Sequence, residues 1–199
     1  MQIWIFTILL ICYFCFHSLL ALDRVKGVLV RYLIPSAYYR LGYNGFAIIS
    51  LLPVVWTYFR CPFEEILAYH QIFHWLGVGI TLVGIIGNYI AIKQYDIGEF
   101  MGLSQLSEGT EVETMLVTEG WNAYVRHPLY LAAFLIVLGV FIYAPYAVHL
   151  SILLVVTGYL FVGIMLEERK LVQQFGQDYI AYQQQVPMLF PRLWHKRRN

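Results

Sequence analysis

The chain has 199 residues, 60% of them hydrophobic and 13% charged, with a net charge of +1. That much apolar surface exceeds what one small soluble core can hide, so the composition points to an integral membrane protein. The near-neutral balance argues against nucleic acid as the main partner, because phosphates call for a basic face.

Apolar runs over Ile3 to Leu22, Leu41 to Tyr58, Ile72 to Ile92, Leu129 to Ala144 and Val148 to Leu166 predict about five transmembrane helices. A span takes about 20 residues. The first run has no basic leader, and Ala21-Leu22-Asp23 is a poor cleavage site, so it reads as a spanning helix and not a signal peptide. Cys12 and Cys15 form a CxxC inside apolar sequence, and with Cys61 they make no disulfide framework; all three read as core residues. The fourth run, closed by Pro128 and Pro145, is short. It can thin the bilayer locally or form half of a hairpin with the fifth.

Arg24, Lys26, Arg31, Arg40, Lys93, Arg126, Arg169, Lys170, Arg192, Lys196, Arg197 and Arg198 sort to one side of this arrangement, and Arg60 alone to the other. The positive-inside rule then puts the amino terminus outside and the tail in the cytoplasm. The connection from Lys93 to Pro128 shares the cytosolic side with the tail. A connection of that length is uncommon unless it serves a site. Its acids Glu108, Glu111, Glu113 and Glu119 read as a solvated face, and Lys196-Arg197-Arg198 as a contact with anionic lipid. Beyond Leu166, the spacing of Leu171, Phe175, Tyr179 and Tyr182 predicts an amphipathic surface helix. Gly176 interrupts it at a cost near 1 kcal/mol relative to Ala, and Pro187 and Pro191 end it. With no repeat and no low-complexity linker, the reading is one domain over 1–199: three helices within 1–92, a cytosolic loop over 93–128, and a hairpin and tail over 129–199.

The candidate chemistry lies where Gly120-Trp121-Asn122-Ala123-Tyr124-Val125-Arg126-His127-Pro128-Leu129-Tyr130 faces Glu167-Glu168 across the hairpin. An ionised group at the bilayer centre costs roughly 2.5–3.5 kcal/mol, so charges gathered at helix ends suggest a polar interfacial pocket, read here as a cofactor site. Taken singly the residues have plainer roles. Pro128 suits a first helical turn, His127 a boundary cap, and Arg126 a lipid-phosphate anchor. The adjacent Glu167 and Glu168 repel each other, and either Arg169 and Lys170 balance them or they bind together with Arg126. His17 and Asn88 on position alone read as interhelical contacts. His70, His74 and His149 fall toward the opposite side, so no metal site is expected.

The combination Leu116-Val117-Thr118-Glu119-Gly120, Val125-Arg126-His127-Pro128-Leu129-Tyr130, an apolar hairpin, Glu167-Glu168 and Phe175-Gly176-Gln177-Asp178-Tyr179-Ile180-Ala181-Tyr182 with Val186-Pro187 resembles the isoprenylcysteine carboxyl methyltransferase superfamily. That group includes phospholipid N-methyltransferases, methanethiol S-methyltransferases and NnrU-type proteins. The amino-terminal half resembles the methanethiol methyltransferase and NnrU branch, through His17-Ser18-Leu19-Leu20-Ala21, Val25-Lys26, Tyr39-Arg40, Tyr43-Asn44 and Phe100-Met101-Gly102-Leu103-Ser104-Gln105-Leu106. Asn122 and Ala123 depart from the Tyr and Arg usual in the superfamily's turn.

The resemblance implies an all-α polytopic enzyme that uses S-adenosylmethionine, with a cytosolic cofactor pocket made by the hairpin, the preceding loop and the tail. The expected cofactor contacts are Gly120, Tyr124, Arg126, His127, Pro128, Tyr130, Glu167, Glu168, Tyr179 and Tyr182, which supply a cation, anions and aromatic faces for that ligand. Arg126, Glu167 and His17 are the expected catalytic residues, His17 as base for a thiol acceptor entering from the membrane. Prenylcysteine carboxylate and phospholipid amine are the alternative acceptors. A non-catalytic NnrU-type accessory protein is the alternative from another class, and a small transporter ranks last because the central helices lack intramembrane charges.

Overall fold

The computed structural model describes residues 2–68, 70–93 and 115–191, apart from the side chains of Asp23 and Ala37. Phe100 to Leu106, Glu108, Glu111, Glu113 and the basic end from Arg192 to Arg198 lie outside the described residues. The elements are helices α1 (Gln2–Ala21), α2 (Asp23–Tyr32), α3 (Ser36–Tyr58) and α4 (Gln71–Ile92), a 3-10 turn (Gly120–Ala123), then α5 (Pro128–Tyr143), α6 (Ala147–Phe175) and α7 (Gln177–Gln185). The protein is all-α and polytopic. Helices α1, α3, α4 and α6 are long and apolar enough to cross a membrane, and α5 is a shorter apolar helix. Its 16 residues reach about 24 Å.

The described residues fall into two compact units. One holds α1, α2, α3 and α6 as far as Val155; the other holds α4, the 3-10 turn, α5, α6 from Val156 onward, and α7. In the first unit Phe6, Leu10, Val54, Cys61 and Val148 form a buried cluster. Beside it the hydroxyls of Thr7 and Ser151 share a 2.6 Å hydrogen bond. Backbone bonds from Ile66 N–H to the Pro145 carbonyl (3.0 Å) and from Ala147 N–H to the Glu64 carbonyl (3.0 Å) tie the segment after α3 to the start of α6.

In the second unit α4 and α5 pack at backbone distance because the contact is made by small residues. A Cβ built on Gly84 would stand 2.8 Å from the Ile136 nitrogen and 2.9 Å from the Ala132 carbonyl oxygen. One built on Gly139 would run into Thr81, and one on Gly77 into the Tyr143 backbone. Lipid tails are as apolar as leucine, so close approach and dispersion replace the hydrophobic effect as the force joining helices.

Three features differ from the sequence expectation. Cys12 and Cys15, read as core residues, are exposed on α1, while Cys61 is buried. Helix α2 was not anticipated; its ten residues are too few and too polar to register as a span. The tail is two helices and not one: α6 continues without a break through the expected membrane boundary to Phe175, and Gly176, at φ +55° and ψ −124°, turns the chain into α7. Glycine is therefore a requirement of the turn, where the sequence pattern made it a defect within a helix. Gly176→Ala should destabilise the protein by about 1–3 kcal/mol through backbone strain, since no atom lies within 4 Å of the added methyl. Gly158→Ala, in open space within α6, should stabilise it by up to about 1 kcal/mol. Thermal melting of the two variants in detergent should move in opposite directions.

Candidate functional site

The site is built by three short stretches of the second unit: the turn leading into α5, the end of α6, and α7 with the chain after it. Gly120, at φ +62°, lets the extended backbone at Glu119 enter the 3-10 turn. The turn buries Asn122 and delivers Val125, Arg126 and His127 to the buried start of α5 at Pro128. Arg126 N–H donates to the Pro187 carbonyl at 2.9 Å, and His127 N–H to the Met188 carbonyl at 3.2 Å. The segment before α5 and the segment after α7 are thus zipped together by backbone bonds.

Side chains complete the clasp. Arg126 donates to Glu168 Oε1 through Nε at 2.7 Å, with Nη2 2.6 Å from the same oxygen. Its Nη1 donates to the carbonyls of Gln183 at 3.1 Å and Val186 at 2.6 Å. All three guanidinium nitrogens are therefore engaged by the protein. His127 Nε2 lies 3.1 Å from Glu168 Oε1, the Tyr179 hydroxyl donates to that oxygen at 3.4 Å, and Gln183 Nε2 donates to Oε2 at 3.0 Å. The Arg126 and Glu168 side chains are 9% and 13% exposed, so the pair is almost dry. Burial, with the Glu168 carboxylate alongside, pushes the Tyr179 phenol well above its ordinary range. It stays a protonated donor.

Glu167 has a different position. Its side chain is 43% exposed, and its nearest recorded partner is His127 Nδ1 at 3.8 Å. The two adjacent carboxylates thus divide: Glu168 is enclosed by donors and Glu167 looks outward. Tyr182 donates to the Asn122 carbonyl at 2.6 Å, and Asn122 Nδ2 donates to the Arg126 carbonyl at 3.2 Å. Asn122 Oδ1 is buried with no hydrogen-bond partner among the described residues. The Tyr130 ring stands edge-on to His127 at 5.5 Å. Tyr124 is 65% exposed. Beside this cluster is an open groove of ≈ 670 Å³, lined by Leu116, Thr118, Phe175, Asp178, Tyr182 and Gln185 among others.

The second unit thus brings together Arg126, His127, Glu168, Tyr179 and Tyr182, with Glu167 and Tyr130 at the edge. His17 belongs to the first unit, where the Tyr43 hydroxyl lies 2.9 Å from its Nδ1 and 2.7 Å from its Nε2. Gln183 and the side chain of Asn122 were not anticipated as parts of the site. The signal for Gln183 was its place one residue beyond Tyr182 and four beyond Tyr179 on the same short helix; for Asn122 it was only the departure from the superfamily turn.

The model of the family described as "Protein of unknown function (DUF1295)" matches residues 43–186. The chain belongs to that family. It is 31% identical to methanethiol S-methyltransferase 2 of Bradyrhizobium diazoefficiens over 187 residues, covering 92% of this chain and 71% of that protein. It is 30% identical to the methanethiol S-methyltransferase of Crocosphaera subtropica over 191 residues, covering 90% of this chain and 71% of that protein. Family and relatives agree with the superfamily resemblance read from the motifs. No solved structure matches the chain significantly.

The division of the two carboxylates gives unequal consequences. Glu168→Gln leaves the nearly dry Arg126 charge without its partner and should cost about 3 kcal/mol, with faster hydrogen exchange at the Arg126 and His127 amides. Glu167→Gln removes a half-exposed charge and should cost under about 1 kcal/mol. Stability that Tyr179 contributes through its raised phenol is fully present below the unfolded value near 10 and is lost as pH rises above it. The tyrosinate absorbance of the wild type, compared with Tyr179→Phe, should therefore show no step from Tyr179 near pH 10.

Proposed function

We propose that this multi-pass membrane protein is a methyltransferase that moves a methyl group from S-adenosylmethionine to a small thiol. The observation that carries the reading is the clasp of Arg126, His127 and Glu168 that holds the tail against the start of α5, in a chain whose relatives are named methanethiol S-methyltransferases. The charge bias supports an amino terminus outside and a cytoplasmic tail.

The residues beside the clasp fit the methyl donor. The groove has a volume within the usual 300–1,000 Å³ of small-molecule sites. Phe175 and Tyr182 offer aromatic faces for an adenine, while Asp178, Gln185 and Thr118 offer polar groups for a ribose. The half-exposed Glu167 is an acceptor for an ammonium. Arg126 and Glu168 saturate each other, so they act as positioning residues that order the tail; of the two adjacent carboxylates, Glu167 is the one proposed to meet the ligand.

When bound, S-adenosylmethionine supplies a methyl group on a good leaving group. The protein's share is then to align the acceptor, exclude water and take the acceptor's proton. A thiol reacts as its thiolate, and the resemblance of the amino-terminal half offers His17, held by Tyr43, as the base for that proton. Thr118, Phe175, Asp178, Tyr182 and Gln185 would hold the donor, which would supply an electrophilic methyl whose bond to the sulfonium sulfur breaks as the acceptor becomes a thioether.

Calorimetry on the detergent-purified chain should detect S-adenosylmethionine binding that Arg126→Ala abolishes and Glu167→Gln weakens. Methyl transfer to methanethiol should follow, and His17→Ala should lower its rate by about 100-fold while leaving cofactor binding intact. A folded wild type that binds no S-adenosylmethionine would leave an accessory protein. Undiminished transfer by His17→Ala would return His17 to a packing role.

A further inference from the structure

Helix α2 joins two candidate spans, α1 and α3. Its ten residues reach about 15 Å, half of the hydrocarbon thickness of about 30 Å. It is too short to cross on its own, and it forms the connection between the end of α1 and the start of α3.

Its sides divide by chemistry. Val25, Leu29 and Val30 are partly covered by the protein. Arg24 and Arg31, two turns apart, are exposed along one edge, with Lys26 exposed on the far side. Directly beside the arginine edge are Val28, 58% exposed, and Tyr32, 69% exposed, with Leu33 at 74% just past the helix. The Arg31 guanidinium stands over the Tyr32 ring at 5.4 Å, so cation and aromatic share one patch. Asp23 is the segment's one acid against these three cations. A face that joins uncovered apolar side chains to cations suits acyl chains beneath and phosphate groups at the rim.

We propose that α2 is an interfacial helix that binds anionic phospholipid, with Val28, Tyr32 and Leu33 set among the acyl chains and Arg24, Lys26 and Arg31 on the headgroup phosphates. The occupant is a lipid because the apolar and basic elements are contiguous: free phosphate would satisfy the cations and leave the apolar face in water. The excess of positive charge selects acidic over zwitterionic headgroups.

The test is native mass spectrometry of the full chain in nonionic detergent, titrated with phosphatidylglycerol or phosphatidylcholine. Wild type should retain phosphatidylglycerol preferentially, and the triple variant Arg24→Gln, Lys26→Gln, Arg31→Gln should lose roughly tenfold of that preference. Val28→Ser with Tyr32→Ser should weaken retention of both lipids while keeping the preference. An unchanged preference in the triple variant, displacement of the lipid by millimolar inorganic phosphate, or a homodimer whose formation depends on these residues would each overturn the proposal. If the triple variant does not fold, Arg31→Glu alone, at an exposed position, carries the same expectation with a smaller loss.

Discussion

The carboxylate of Glu168 is the group on which the second unit's polar end depends. A charge at the end of a spanning helix must be hydrated or enclosed by donors, and here it is enclosed: Arg126, His127, Tyr179 and Gln183 converge on its two oxygens. These donors come from the segment before α5 and from α7, so neutralising one carboxylate fixes the path of two otherwise separate stretches of chain. The backbone bonds at Pro187 and Met188 then follow at little further entropic cost, because the residues that make them are already held. A buried ion pair seldom adds much net stability over an apolar substitute, yet it strongly disfavours any arrangement that leaves one partner alone. Its contribution is to choose this tail position over others.

The clasp requires a stiff base, which the small-residue contact between α4 and α5 provides. With Gly77, Gly84 and Gly139 at backbone distance from the facing helix, α5 has little room to slide or rotate. Pro128 begins α5 one residue after His127, so the clasp starts where the helix becomes rigid. Gly163 plays a smaller part on α6, where a Cβ would press to 3.2 Å on the Tyr130 ring, and that ring in turn stands against His127.

Legibility from sequence followed the length of the signal. Helices α1, α3, α4 and α6 were readable because each is a long apolar run, and the start of the shorter α5 because proline marks it. Helix α2 was missed because ten amphipathic residues look like a charged loop when the search is for membrane crossings. Glu167 and Glu168 could not be told apart in sequence: consecutive residues on a helix point about 100° apart, and which of them meets Arg126 depends on the rotation of α6, which no local pattern records. Gly176 could be seen to interrupt the tail, but its positive φ reflects where α7 must go to reach Glu168, a constraint set by residues distant in the chain. Asn122 and Gln183 had no motif of their own, since their partners are a backbone carbonyl and a carboxylate that only the fold brings near.

Pairing Arg126 with Glu168 also changes where recognition of a ligand can occur. Had these groups been open to a ligand, it would have met a strong cation and anion side by side, and binding would have had to break an ion pair that is almost dry. With the pair closed, the acceptors outside it include the outward-facing Glu167 and the buried Oδ1 of Asn122. The residue replacing the superfamily's usual tyrosine in the turn therefore has a physical reason to matter: a tyrosine would present an aromatic face, whereas Asn122 joins the turn to Arg126 through its amide nitrogen and leaves an oxygen without a partner. A buried acceptor without a donor carries a penalty of about 1–3 kcal/mol, so the turn accepts that cost where the Asn122 amide nitrogen bonds the Arg126 carbonyl.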